Sequence, residues 1–170
     1  LLAAFAAAAA GCATPSGGEP APGAALSGDL CPLTASSSGF IDLKDSTPRT
    51  LRVEPIEGDA ARLVLEVPDA PPREIRVTRR DGSVFFSGGM GAGTEILRSG
   101  ATPGTTWESD GRRVTFEGWE RLPLPTVTYD AAKISARRGP AGLEQVETWW
   151  FARGVGLVRL RSDHGSLFID

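Results

Sequence analysis

Few residues in this sequence are of a type and spacing that could do chemistry. His164 is the sole histidine and sits in Ser162-Asp163-His164-Gly165. A hydrolytic triad needs a nucleophile, a base and an orienting carboxylate that converge in space. Asp163 is the immediate neighbour of His164, the wrong spacing for the two to face each other along an extended chain. Asp110, Glu117 and Glu120 are the carboxylates from which a glycosidase pair could be drawn, but charges at hairpin ends are ordinarily just solvated. Gly88 to Thr94, GGMGAGT, has the glycine content of a phosphate-cradling loop. It lacks the Lys followed by Ser or Thr that such a loop carries. It reads as a loop at the mouth of a β fold, with Met90 as a soft apolar lid. One His, one Met and two Cys leave little for a transition-metal cage. No catalytic residue, metal or cofactor is expected.

The chemistry that does stand out belongs to a cysteine. Residues 1–10, LLAAFAAAAA, form an uncharged apolar run, shorter than the roughly 20 residues that span a bilayer. Such a run fits the apolar region of a secretory signal peptide. It ends in Ala9-Ala10-Gly11-Cys12, which resembles a bacterial lipobox, with Ala9 where Leu is commonest. In that motif the thiol accepts diacylglycerol and the chain is cleaved on the amino side of the cysteine. The resemblance implies that residues 1–11 are a signal peptide and that Cys12 carries the lipid. With Ala13 following rather than Asp, it also implies the outer membrane, facing the periplasm. Cleavage as an ordinary signal peptide is the alternative. Each buried acyl methylene contributes about 0.8 kcal/mol, so two or three chains hold a protein on a membrane for good. Cys31 is then left over, and it reads as a small apolar residue near the start of the core rather than as half of a disulfide.

After the cysteine, residues 13–28 read ATPSGGEPAPGAALSG. A stretch so poor in large apolar groups cannot offset its ordering entropy, so residues 12–28 are expected to be a flexible tether and 29–170 one domain. Roughly 130 to 140 residues are enough for a single core. The formal charge of −3, from 21 acidic and 18 basic residues, is interspersed along the chain and offers no basic stripe for nucleic acid.

The elements that must position any site are strands. Leu51/Val53, Leu63/Leu65/Val67, Ile75/Val77, Val114/Phe116 and Val158/Leu160 each alternate with more polar neighbours, which places the apolar members on one face of each strand. Asp81-Gly82 and Asp110-Gly111 separate alternating runs, a strong signal for two-residue hairpins. Thirteen prolines and 21 glycines disfavour long helices. The expected fold is all-β, an antiparallel meander curved into a half-barrel or barrel. Residues 128–138, TYDAAKISARR, are read as a strand, with a short capping helix as the alternative. The doublets Arg79-Arg80, Arg112-Arg113 and Arg137-Arg138 flank predicted turns, where they protect strand edges or line one rim facing anionic groups.

Residues 147–159, ETWWFARGVGLVR, resemble a recurring ending of exported bacterial lipoprotein domains of unknown function. There an aromatic cluster precedes a turn like APGVGLV and a last strand. Residues 128–134, TYDAAKI, resemble the strand that precedes that ending, and Arg153 stands where proline is usual. The resemblance, over about 30 residues, implies a half-barrel like LolA and LolB wrapped around an apolar cavity, with no catalytic residue carried over. Two readings follow, with an envelope hydrolase as a third for which no nucleophile–base pair is visible. In the first, a non-enzymatic envelope lipoprotein binds a lipid or other apolar molecule in a cleft lined by Phe86, Met90, Phe116, Trp149, Trp150 and Phe151. In the second, the core is filled and the module docks an envelope protein through an exposed aromatic patch of Trp149, Phe151 or Trp107.

Overall fold

Alternation of apolar and polar residues does organise this chain. The computed structural model describes residues 21, 23–42, 47–66, 70–88, 93–123, 127–140 and 143–162. Eleven strands follow one another: β1 (Ser36–Asp42), β2 (Thr47–Ile56), β3 (Ala60–Glu66), β4 (Arg73–Arg80), β5 (Ser83–Ser87), β6 (Thr94–Leu97), β7 (Thr106–Ser109), β8 (Arg112–Pro123), β9 (Thr128–Arg138), β10 (Gln145–Ala152) and β11 (Gly156–Ser162). No helix occurs among the described residues, and 128–138 is strand β9 rather than a capping helix.

The meander is antiparallel throughout, but it does not close into a barrel. It divides into a six-stranded sheet, β1 to β6 in order, and a five-stranded sheet, β11 to β7 in order. Both predicted two-residue turns form. Asp81 and Gly82 have φ of 50° and 77°, and Asp110 and Gly111 have φ of 51° and 67°, the positive pair that a type I′ turn requires.

The sheets meet face to face over one apolar core. Leu63, Leu65, Ile75, Val77, Phe86 and Ile96 enter it from the first sheet, and Val114, Phe116, Ile134, Trp149, Phe151 and Leu160 from the second. At the β6–β7 corner, side chains supply the bonds that a strand ladder would otherwise make. The Trp107 indole donates to the Glu95 carbonyl at 2.8 Å, and the Glu95 amide donates to Ser109 Oγ at 2.8 Å. The outward face of the first sheet is covered by charge. Arg52 reaches Glu66 at 3.0 Å and Glu54 at 3.4 Å, and Arg62 reaches Glu74 at 3.5 Å. Half-exposed pairs of this kind contribute little each, but their stems shield Val64, which is buried on that face.

The packed body begins before Asp29. Leu26 is 2 % exposed and belongs to the core with Leu30 and Cys31. Residues 24–31 form a strap across one end of the two sheets. The Leu26 amide donates to the Ala101 carbonyl, Gly100 donates to Leu26, and Gly154 donates to Asp29. The Trp119 indole donates to the Ala24 carbonyl at 2.8 Å, and Arg79 donates to both Asp29 (2.6 Å) and the Cys31 carbonyl (2.8 Å). Residues 24–28 are therefore structure rather than tether. Their small composition hides one large apolar anchor, Leu26, and backbone groups that bond the β6–β7 connection and the Trp119 indole.

Candidate functional site

Four of the six expected cleft residues converge. Phe86, Phe116, Trp149 and Phe151 all belong to the core between the sheets. Phe86 packs edge-on against Trp149 and Phe151, with ring centroids 6.2 and 6.1 Å apart, the separation that aromatic quadrupoles favour. Rings in direct contact fill this part of the interior.

Trp150 does not join them. It lies on the outward face of the five-stranded sheet with Leu122, Ala131, Ala152 and Val158. Its strand neighbours cover it: Lys133 Nζ is 5.7 Å and the Arg159 guanidinium 5.1 Å from the ring centre, within cation–π range. Both cations are the direct cross-strand partners of Trp150. Met90 and Cys12 fall outside the described residues, as do Asp163 and His164.

The aromatic patch of the docking reading is not at the surface, since Trp149, Phe151 and Trp107 are all buried. Trp107 is roofed by the Arg98 guanidinium at 5.0 Å. Of the carboxylates, Glu117 accepts from Ser135 Oγ at 2.5 Å and Glu120 pairs with Lys133 at 3.3 Å. Each is held by a neighbour of its own strand pair, an arrangement unlike two carboxyls facing across a substrate. Among the described residues, no group of three or more His, Cys, Asp or Glu could hold a metal ion.

The arginine doublets divide between the two ends. Arg79 meets Asp29, whose carbonyl accepts from Gly154 in the β10–β11 turn. Arg113 and Arg137 are cross-strand partners near the opposite, β9–β10, end. Three doublets on one rim are thus not what the fold builds. Arg112 and Glu147 form a 2.6 Å ion pair facing the core side of the sheet. Burial pushes the Glu147 carboxyl above its usual range, and the charge and hydrogen bond of Arg112 only partly oppose this.

The strap borders a feature that the sequence did not signal. A pocket of about 120 Å³ lies beside it, lined by Leu26, Leu30, Cys31, Arg79, Val84 and Leu97 among others. That is room for several waters. Cys31 is buried there as a free thiol. Desolvation drives its pKa up to about 12, opposed by Arg79 and reinforced by Asp29.

Comparison of the chain with models of protein families, with curated proteins and with solved structures finds no match.

Proposed function

We propose that this chain is a non-enzymatic lipoprotein module of the bacterial cell envelope, anchored through Cys12, whose β body docks a protein partner. The observation behind this reading is the ring packing of Phe86, Trp149 and Phe151, which fills the place where an apolar ligand would sit. The buried indoles point away from an aromatic docking patch. What the fold offers instead is backbone, because β1 and β11 end their sheets with one side unpaired among the described strands. An edge strand offers main-chain donors and acceptors to an added strand.

A second reading, storage or transfer of an apolar molecule, draws support from Leu33, Leu51, Val53 and Leu157. These side chains are half-buried against the core, and Leu51, Val53 and Leu157 belong to β2 and β11, the strands next to or at the free edges. Here the ligand would lie along that margin rather than in the middle.

Native mass spectrometry of the full chain purified from envelope membranes, with lipid extraction of the same sample, separates the two. A mass that accounts for the chain and its covalent lipid alone, with no rise in melting temperature on adding phospholipid or fatty acid, fits the docking module. A stoichiometric extractable lipid beyond the anchor would overturn it in favour of the carrier.

A further inference from the structure

Among the described residues four large apolar side chains are exposed: Ile56 (36 %), Val127 (38 %), Val155 (40 %) and Leu143 (78 %). Single exposed apolar residues are common, but three of these share one end of the fold. Val155 lies in the β10–β11 turn, where Gly154 donates to Asp29. Asp29 is bonded by Arg79, and the Arg79 amide donates to the Asp59 carbonyl in the β2–β3 turn. Ile56 closes β2 at that turn. Val127 precedes the Thr128–Pro123 pair, which lies beyond the Ala131–Ala152 pair where β10 ends. Leu143 stands at the other end, between β9 and β10.

The end that carries the three is the end crossed by the strap. Ala24, Leu26 and Asp29 fix the chain there, and Cys12 precedes Ala24 by twelve positions. Twelve residues reach at most about 40 Å when fully extended. Strand β8 alone has 12 residues, and at about 3.3 Å each it separates the two ends by about 40 Å. A lipid on Cys12 therefore keeps the strap end within about 40 Å of the bilayer, whereas the Leu143 end can stand up to about 80 Å from it.

We infer that the strap end is a membrane-facing tip, with Val127 and Val155 seated among the headgroups of the bilayer that holds the lipid, and Leu143 directed away from it. The inference rests on lipidation of Cys12. Charged groups surround the apolar residues of the tip. On the five-stranded side, Val155 is close in sequence to Arg153, whose guanidinium stacks on Trp119 at 4.6 Å and supplies a cation at headgroup level. On the six-stranded side the turns carry Glu57, Asp59 and Asp81, and β4 brings Arg79 and Arg80 to the same end, so carboxylates and cations are mixed there.

The test uses the full lipoprotein reconstituted in vesicles of phosphatidylethanolamine and phosphatidylglycerol. Val127→Cys, Val155→Cys and Leu143→Cys variants carry an environment-sensitive fluorophore, and brominated lipid serves as quencher. Labels at 127 and 155 are expected to be blue-shifted and quenched, and the label at 143 neither. Mass spectrometry of the same samples reports the acyl chains. An acylated protein whose three labels read alike, all in water, overturns the membrane-facing tip while leaving the anchor intact. A protein without acyl chains overturns the anchor, and the tip with it.

Discussion

Trp149 and Trp150 are adjacent in sequence yet belong to different apolar clusters on opposite faces of the five-stranded sheet. The inner tryptophan is 1 % exposed and the outer one 5 %, so both are covered, by different means. Trp149 is enclosed by aromatic and aliphatic side chains of both sheets. Trp150 is enclosed by a small apolar cluster and by Lys133 and Arg159. A strand dry on both faces is normally flanked by packed layers. Here the outer layer consists of the protein's own long cations.

This difference sets unequal costs of truncation. Trp149→Ala removes a ring from a core that cannot collapse around the gap, at a cost of about 4 kcal/mol. Trp150→Ala leaves a cavity open to solvent on one side and loses two cation–π contacts worth about 0.5–1 kcal/mol each, for a total of about 2 kcal/mol. Urea unfolding of the two variants at neutral pH measures both. Equal losses would mean that the outer cluster is as tightly packed as the core.

Strand content and the two Asp-Gly turns were legible because they rest on local rules, namely period two and positive φ. Sheet division was not legible, because the β6–β7 corner is bridged by Trp107 and Ser109 side chains that carry no pattern in sequence. Val158 and Leu160 show why periodicity misplaces residues. They alternate as if on one face, but a bulge opposite Trp150 and Phe151 leaves Val158 in the outer cluster and Leu160 in the core. A bulge adds one residue and inverts the face assignment across it. The strap was hidden for a third reason. Its composition reads as that of a tether, and what orders it is long-range: bonds to Arg79, Gly100, Ala101, Trp119 and Gly154, and the burial of Leu26. Of the aromatic site, the residue types were readable. Which rings meet was not.

Leu26 tests the strap as part of the core. Leu26→Ala is expected to cost about 3 kcal/mol, the range for a fully buried leucine, although its sequence neighbours are Ala24, Ala25, Ser27 and Gly28. Glu19→Ala, in the stretch read as tether, is expected to change stability by less than about 0.5 kcal/mol. Thermal or urea unfolding of both variants gives the answer, and a Leu26→Ala loss as small as that at position 19 would remove the strap from the folded body.

Glu147 makes stability depend on pH with a definite sign. Its carboxyl titrates above the ordinary 4.5 in the folded protein because burial disfavours the anion. As pH rises through that interval the unfolded chain gives up its proton first, so the folded state holds more protons and stability falls. The contribution is fully present below the unfolded pKa and is lost as pH passes the folded value. Glu147→Gln should flatten this decline in urea-unfolding free energies measured between pH 4 and 7. Arg112→Ala removes the partner that lowers the pKa, so the decline should extend to higher pH, with a loss at neutral pH of about 2 kcal/mol. That is less than for a fully buried pair. A profile unchanged by Glu147→Gln would place the pH dependence elsewhere.

Cys31 extends the same argument to alkaline solution and ties it to the strap. The thiol has an ordinary value of 9.0 and is driven to about 12 in the fold, chiefly by desolvation. Between those values the unfolded chain loses its proton and the folded one keeps it. Stability therefore falls with rising pH above 9, by up to about 1.4 kcal/mol per unit. Wild-type protein should lose more stability than Cys31→Ala between pH 8 and 10. Alkylation of Cys31 at pH 8 should be slow in the folded chain and fast in urea, since the thiolate is the nucleophile. Arg79→Ala separates charge from access. Arg79 lowers the pKa of the thiol, so removing its charge alone would slow alkylation further. It also ties Asp29 and the Cys31 carbonyl to β4, so removing it loosens the strap over the thiol. Access changes far more than acidity when a buried segment opens, and the expected result is faster alkylation in the variant, read by mass spectrometry over time. A slower rate would mean that the strap stays shut without its ion pair.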